Sequence, residues 1–193
     1  DRALTSLRID RSPYFLEKLH HLYETKNARH GCIVIGASFS GKSTLRRVLR
    51  ATQAGGKAEP RVVELNPKAL GVDELYGRFD PRADEIIFGA FGHVMDSLCN
   101  KEEFAQGESW IVFDGPIDTK WIESMNSLLD DNRVLTLPNG GRINLRPNVR
   151  LLFEVDELKQ ASPATVSRCG IVYLDARELD GNCIKSSWLF SLE

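Results

Sequence analysis

Eight consecutive residues in the first quarter of the chain have the types and spacing of a phosphate-binding loop. They fit the pattern GxxxxGK[ST] and read Gly36-Ala37-Ser38-Phe39-Ser40-Gly41-Lys42-Ser43. An apolar run precedes the loop and an amphipathic pattern follows it, which predicts a strand, a turn and a helix. Backbone N–H groups in such a turn, together with the helix dipole, form an anion site. The alternative interpretation is a Gly- and Ser-rich turn that happens to contain a lysine.

Within this loop, two side chains have expected roles toward a nucleotide. We expect Lys42 to reach the β- and γ-phosphates and the Ser43 hydroxyl to ligate Mg²⁺. The expected ligands are ATP or ADP with Mg²⁺, and the binding set extends to Thr44 at the start of the helix. Phe39 is a bulky residue for such a loop, so the sequence leaves open whether its ring prevents binding.

A carboxylate that could hold the metal through water follows another apolar run. Asp114 comes directly after the predicted strand 110–113. Ligands bind at the carboxyl ends of the strands in open α/β sheets. We therefore interpret Asp114 as the Walker B aspartate, whose carboxylate would help to hold Mg²⁺. The alternative is a simple turn aspartate before Gly115 and Pro116.

The residue after Asp114 bears on hydrolysis. ATPases of the AAA+ type usually have Glu there to polarise the attacking water, whereas this chain has Gly115. Loss of a positioned base lowers a rate by about 10²–10⁴. The sequence therefore predicts nucleotide binding with little or no hydrolysis. Glu154, which we also count among the nucleotide-binding residues, and Asp156 are alternative bases for an active ATPase. A phosphotransferase is a third alternative, although no acceptor site is evident.

Strands that alternate with helices are predicted to position these groups. Predicted strands lie at 32–35, 61–65, 110–113, 149–155 and 171–174. One predicted helix begins at Pro13, and another covers 45–50, with Arg46, Arg47 and Arg50 among its polar positions. A third extends from Asp118 to Leu129, and a fourth begins at Pro163. The first helix carries one apolar stripe made of Phe15, Leu16, Leu19, Leu22 and Tyr23. This alternation predicts an α/β fold with a parallel sheet covered by helices on both faces.

Two segments depart from the alternation. Asn139-Gly140-Gly141 between two apolar runs indicates an inserted β-hairpin over 134–145. Residues 68–105 give a weaker pattern, with helical stretches on either side of 77–81.

Composition excludes several classes of protein. The chain has 193 residues, 42% of them hydrophobic and 27% charged, which is typical of a folded domain of ordinary size. Its formal net charge of −2 gives no electrostatic reason to expect nucleic-acid or membrane partners. The four cysteines are scattered without CxxC spacing, so we expect reduced thiols and no zinc site. The first residue is not Met, and we expect the chain to be a piece of a longer protein.

Several strings beyond the loop resemble the dynein heavy chains, specifically the large α/β subdomain of their second AAA+ module. The likeness extends from about Phe15 to Leu189, and these strings are more specific than the phosphate-binding loop. They are Arg29-His30-Gly31, Asn66-Pro67-Lys68-Ala69, Leu75-Tyr76-Gly77, Trp110-Ile111-Val112-Phe113-Asp114-Gly115-Pro116, Trp121-Ile122-Glu123-Ser124-Met125-Asn126, Leu129-Asp130-Asp131-Asn132 and Ala161-Ser162-Pro163-Ala164-Thr165-Val166-Ser167-Arg168-Cys169-Gly170.

The resemblance implies a P-loop NTPase fold of the AAA+ type, with a five-stranded parallel sheet, within a microtubule motor. Six AAA+ modules form one ring in that family, and the second module holds nucleotide rather than performing the main hydrolysis. Arg168 would be an arginine finger that reaches the ATP site of the preceding module. The alternative for Arg168 is a cation that complements the dipole at a helix C-terminus. Implied partners are neighbouring modules, dynein intermediate and light chains, and microtubules, and the strings look axonemal, which places the parent in a cilium or flagellum.

The resemblance also implies domain boundaries and two departures. We expect an N-terminal helical segment at 1–30, the nucleotide-binding subdomain at 31–180, and at 181–193 the start of a connection to a helical lid that is absent. Without that lid, the isolated chain should bind nucleotide weakly. The family's loop usually reads Gly-Pro-x-Gly-x-Gly-Lys, and its Glu-Trp-Thr-Asp-Gly string is replaced here by Glu85-Ile86-Ile87-Phe88-Gly89. Both departures bear on whether the site holds nucleotide.

Overall fold

Nine strands, eight α-helices and three 3₁₀ helices make up the regular structure in this computed structural model, which describes residues 2–7, 9, 11–54, 58–137 and 140–178. The strands are β1 (Gly31–Ile35), β2 (Arg61–Leu65), β3 (Gly77–Asp80), β4 (Glu85–Phe88), β5 (Ser109–Asp114), β6 (Val134–Thr136), β7 (Arg142–Asn144), β8 (Val149–Val155) and β9 (Gly170–Tyr173). The helices are α1 (Arg2–Ser6), α2 (Pro13–Ala28), α3 (Lys42–Ala54), α4 (Val72–Tyr76), α5 (Ala90–Asn100), α6 (Thr119–Ile122), α7 (Asn126–Leu129) and α8 (Pro163–Arg168). The predicted connection at 181–193 lies outside the described residues.

Five of the strands form one parallel sheet in the order β2-β5-β8-β1-β9. Side chains of β1 alternate between its faces, with Cys32 and Val34 packing on one side and Ile33 on the other. Helices α1, α2 and α3 cover the first face, and α4 to α7 cover the second. The prediction of a parallel α/β sheet with helices on both faces is therefore confirmed.

Two antiparallel hairpins lie outside the central sheet. The pair β6–β7, in register from Val134 opposite Asn144, confirms the predicted inserted hairpin. The pair β3–β4 was not predicted, because the segment offered only helical stretches flanking 77–81. Gly77 at φ +108° ends α4, and Asp84 at φ +53° helps to turn the chain back. These local backbone conformations, rather than an alternating apolar pattern, define this second hairpin.

The apolar stripe predicted for α2 was too wide. Leu16 and Tyr23 are exposed at 39% and 45%, whereas Phe15 and Leu22 are buried. The buried face also contains Lys26, which is only 1% exposed and donates a hydrogen bond to Glu108 at 2.5 Å. Apolar periodicity missed Lys26 because a lysine can be buried when its charge is paired.

In the described part of the chain, no helix is long and apolar enough to cross a membrane.

Candidate nucleotide-binding site

The loop predicted from the sequence connects β1 to α3 at the carboxyl end of the central sheet. Its first residue, Gly36, donates its N–H to the Val155 carbonyl at 3.1 Å, which ties the loop to β8. A Cβ atom at Gly36 would lie 2.4 Å from the Leu174 carbonyl oxygen and 2.6 Å from Ser40 Oγ, so only glycine fits. The turn is completed by a left-handed conformation at Phe39 (φ +66°) and another at Gly41 (φ +86°).

Lys42 is enclosed by acceptors. Its Nζ donates to the carbonyl oxygens of Gly36 at 2.6 Å and Ala37 at 3.1 Å, and to Asp156 Oδ1 at 2.7 Å. The other carboxylate oxygen of Asp156 accepts a hydrogen bond from Ser38 Oγ at 3.0 Å. The hydrogen bond from Lys42, with a smaller contribution from Ser38, holds the pKa of Asp156 below its usual value even though partial burial acts the other way. The structure therefore brings Asp156 directly onto the loop.

Glu154 joins the start of α3 to the end of β8. Ser43 Oγ donates to Glu154 Oε2 at 2.6 Å, and Arg46 Nε donates to Glu154 Oε1 at 2.5 Å. The Glu154 and Arg46 side chains are 1% and 6% exposed, so this ion pair is buried. Arg46 also donates to Glu64 at 2.9 Å. Burial disfavours the Arg46 charge, but the attraction and hydrogen bonds of Glu154 and Glu64 together outweigh it and raise the pKa of the guanidinium.

Arg46 is a site residue that the sequence analysis missed, because it was counted only as a polar position of the helix. It lies three residues after Ser43, so the two side chains share one face of α3. That spacing is the signal that could have found it. Its partner is 108 positions away along the chain, and no local pattern indicates such a pairing.

Asp114 ends β5, which lies next to β8 and is separated by it from β1 and the loop. It is exposed and is the register partner of Glu154 on β8. The next residue, Gly115, donates its N–H to the Glu154 carbonyl at 3.2 Å and has φ +150°. A Cβ there would lie 3.2 Å from Asn66 Oδ1. Backbone conformation and a close neighbour thus both disfavour a side chain at the position where AAA+ ATPases usually have a glutamate.

The surroundings of three residues bear on whether this site could accept a polyphosphate. Ser40 Oγ is buried and has no hydrogen-bond partner among the described residues, so it is an unused polar atom within the loop. Phe39 is 99% exposed, so its ring points to solvent and does not fill the loop. Thr44 is half-buried in the first turn of α3. Residues 36–44, with Asp114 and Glu154, could therefore hold a nucleotide and its Mg²⁺.

Arg168 lies away from this group of contacts. It is the last residue of α8, and its Nη1 donates to the Ala164 carbonyl oxygen at 2.7 Å. Its Nε donates to Asp130, at the end of α7. The Arg168 side chain is 30% exposed. None of the described contacts joins Arg168 to the loop at 36–43.

Comparison with known proteins identifies the fold family. The sequence pattern of the family described as "AAA domain (dynein-related subfamily)" matches residues 31–169. The chain belongs to the dynein-related AAA family. This AAA domain is 44% identical over 196 residues to human dynein axonemal heavy chain 2, with 98% of the chain and 4% of the relative covered.

Two further relatives are also named as dyneins. The AAA domain is 43% identical over 192 residues to the ciliary dynein beta chain of Tripneustes gratilla, with 100% of the chain and 4% of the relative covered. It is 45% identical over 186 residues to the dynein-1-beta heavy chain of the flagellar inner arm I1 complex of Chlamydomonas reinhardtii, with 92% and 4% covered. The chain therefore spans a small fraction of the length of the relatives it matches.

Proposed function

We propose that this AAA domain binds ATP or ADP with Mg²⁺ and performs little or no hydrolysis. The observation that carries the proposal is the loop at 36–43, which has an enclosed Lys42 and an unused buried hydroxyl at Ser40. Lys42 would bind phosphate oxygens, and Ser43 with Asp114 would hold the metal. Bound Mg²⁺ would supply charge neutralisation of the phosphates. Membership of the AAA family supports the nucleotide assignment in general terms.

The low hydrolytic activity in this proposal rests on which groups could accept a proton from water. Gly115 has no side chain to offer, and its backbone conformation disfavours a replacement. Both carboxylate oxygens of Glu154 already accept hydrogen bonds, from Ser43 and Arg46. Asp156 is engaged by Lys42 and Ser38. An active ATPase that uses Glu154 or Asp156 as its base would first have to break these contacts, so it is the less supported alternative.

A binding measurement tests the nucleotide assignment. We expect Lys42→Ala to weaken the affinity for ADP by at least about tenfold, because one charge-assisted hydrogen bond to phosphate is lost. Lys120→Ala is the matched control, since Lys120 is an exposed lysine on α6. Isothermal titration of the three proteins with Mg²⁺–ADP gives the comparison. Equal affinities in all three would contradict the assignment.

We infer that the parent protein is a dynein heavy chain of the axonemal type and that this domain is its second AAA+ module. The relatives are named as axonemal, ciliary and flagellar dyneins, which supports a microtubule-based motor in a cilium or flagellum. Neighbouring AAA+ modules of the same chain would then flank this domain. Dynein intermediate and light chains, and microtubules, would be partners of the whole protein.

In that ring, we propose that Arg168 acts as an arginine finger toward the nucleotide of the preceding module. Its partial exposure at the end of α8 supports this role, although it would have to leave Asp130. The alternative is a structural cation at the helix C-terminus, which its bond to the Ala164 carbonyl favours. The test uses a longer chain that contains both modules. A finger predicts that Arg168→Ala lowers ATP turnover there by about 10³-fold or more, whereas a structural role predicts only lower thermal stability.

A further inference from the structure

Glu154 is a buried carboxylate beside the expected place of the metal ion, and both of its oxygens are taken by side chains. Oε2 accepts the hydrogen bond from Ser43, the expected Mg²⁺ ligand, and Oε1 accepts the one from Arg46 Nε. The Glu154 side chain is only 1% exposed. Its negative charge is therefore balanced inside the protein by one guanidinium, and that pairing keeps the carboxylate from a cation bound by Ser43.

Arg46 is held in this position by a second carboxylate. Its Nη1 donates to Glu64 Oε1 at 2.9 Å, so the guanidinium connects the end of β8 to the edge strand β2. Hydrogen bonds between charged groups are stronger than those between neutral groups. Because Arg46 has two anionic partners and its side chain is 6% exposed, it is a fixed cation rather than a mobile surface charge.

The withheld carboxylate bears on which divalent cation the site prefers. Mg²⁺ keeps several waters and is bound by one or two protein groups together with substrate phosphates. Ca²⁺ takes more oxygen ligands and often binds a carboxylate through both oxygens. With Glu154 paired to Arg46, the expected protein ligands are the Ser43 hydroxyl and Asp114. This sparse set suits Mg²⁺ on a nucleotide, whereas a released Glu154 would add the kind of ligand that favours Ca²⁺.

Resting on the nucleotide-binding function proposed above, we propose that Arg46 is a specificity-determining residue for the divalent cation. By occupying Glu154, it keeps this carboxylate from the metal, and the site thereby favours Mg²⁺ over Ca²⁺ beside bound ADP. A purely structural ion pair would hold α3 to β8 without influencing the choice of cation. If Arg46 served only to orient Ser43 through Glu154, its loss would weaken binding with both cations alike.

The test measures the affinity for ADP by isothermal titration in the presence of Mg²⁺, of Ca²⁺, or of a chelator. Wild type should bind ADP at least about tenfold more tightly with Mg²⁺ than with Ca²⁺. Arg46→Gln removes the positive charge and should raise the Ca²⁺-dependent affinity by about tenfold, because Glu154 then becomes a metal ligand. Without metal, the same variant should bind ADP more weakly than wild type, since an unpaired negative charge then lies near the phosphates.

Three further variants assign the effect. The double variant Arg46→Gln, Glu154→Gln lacks the carboxylate, so its preference for Mg²⁺ should return to that of wild type. Arg50→Gln is the matched control, because Arg50 lies on the same helix but pairs with Glu59 and not with Glu154. If thermal melting shows that Arg46→Gln is unfolded, Arg46→Lys takes its place. Its ammonium group keeps the charge but bridges two carboxylates less well than a guanidinium, so we expect an increase of about threefold with Ca²⁺.

The outcomes separate this inference from the proposed function. If wild type binds ADP equally well with Mg²⁺ and Ca²⁺, the specificity role is wrong while nucleotide binding stands. An unchanged ratio of the two affinities in the folded Arg46 variant, or an equal change in Arg50→Gln, would also overturn the role. If the folded wild-type chain binds no ADP under any of the three conditions, nucleotide binding itself is wrong and the inference is wrong with it.

Discussion

Ser43 and Glu154 are joined by a hydrogen bond of 2.6 Å between Oγ and Oε2, although they lie 111 positions apart in the chain. The bond connects the first turn of α3 to the end of β8, and Arg46 completes it on the other carboxylate oxygen. The expected metal ligand Ser43 is therefore positioned by a buried acid rather than by the loop alone.

Removal of one partner of the buried ion pair of Arg46 and Glu154 should strongly destabilise the fold. Arg46→Ala leaves the carboxylate of Glu154 buried without its charged partner, so we expect the free energy of unfolding to fall by about 3–5 kcal/mol. Urea denaturation followed by far-UV circular dichroism measures the change. Arg47→Ala is the control, because Arg47 is exposed on the same helix and should change stability little. If both variants lost a similar amount of unfolding free energy, the buried ion pair would not be the cause of the loss in Arg46→Ala.

Gly115 should resist replacement. Its φ of +150° and the nearby Asn66 Oδ1 predict that Gly115→Ala lowers the free energy of unfolding by about 1–3 kcal/mol. For the same reason, Gly115→Glu should fail to restore hydrolysis, since the backbone does not present a glutamate in a relaxed geometry. Denaturation curves and a phosphate-release assay check the two expectations. Efficient turnover in Gly115→Glu would mean that this backbone conformation does not limit the site.

Phe39 should be replaceable without loss of binding. It has φ +66°, an unfavourable conformation for a bulky residue, and its side chain is 99% exposed. We expect Phe39→Gly to raise the free energy of unfolding by about 1 kcal/mol or to leave it unchanged, because relief of strain is offset by the entropy of glycine. Affinity for Mg²⁺–ADP should stay within about threefold of wild type. A tenfold gain in affinity would show instead that the ring obstructs the site.

The domain should become less stable at alkaline pH, because two of its cysteine thiols are buried. Burial raises the pKa of Cys32 and of Cys169 to about 12 each, with a smaller effect from neighbouring charges. An unfolded thiol has a pKa of about 8.5, so the unfolded state loses its protons first as the pH rises. The free energy of unfolding therefore keeps its full value below about pH 8.5. It decreases as the pH rises toward about 12, by about 1.4 kcal/mol per pH unit for each thiol.

The measurement compares wild type with the Cys32→Ala, Cys169→Ala double variant between about pH 8 and about pH 10.5, a range that includes the pKa of an unfolded thiol. The double variant is expected to be less stable at the lower pH, because its replacements remove buried atoms. Its stability should then decrease less steeply with pH than that of wild type. Parallel curves would contradict the assigned pKa shifts.

The sequence predicted the sheet and the loop because both depend on local patterns. Apolar runs define buried strands such as β1 and β8, and the spacing of Gly36, Gly41 and Lys42 defines the turn. It did not predict the β3–β4 hairpin, whose turn depends on a positive φ at Asp84. Nor did it predict that Asp156 binds Lys42, since their 114-residue separation is closed only by the packing of β8 beside β1.

The central claim is that this domain holds nucleotide without cleaving it, and single-turnover hydrolysis tests it most directly. Wild-type chain in excess is mixed with radiolabelled Mg²⁺–ATP, and bound nucleotide and released phosphate are followed in parallel. We expect wild type to hold bound ATP, and the total ATP in its mixture to be hydrolysed no faster than in a parallel mixture with the Lys42→Ala variant, which binds less nucleotide. Rapid release of phosphate by wild type, lost in both Lys42→Ala and Glu154→Gln, would contradict it and would identify Glu154 as a working base.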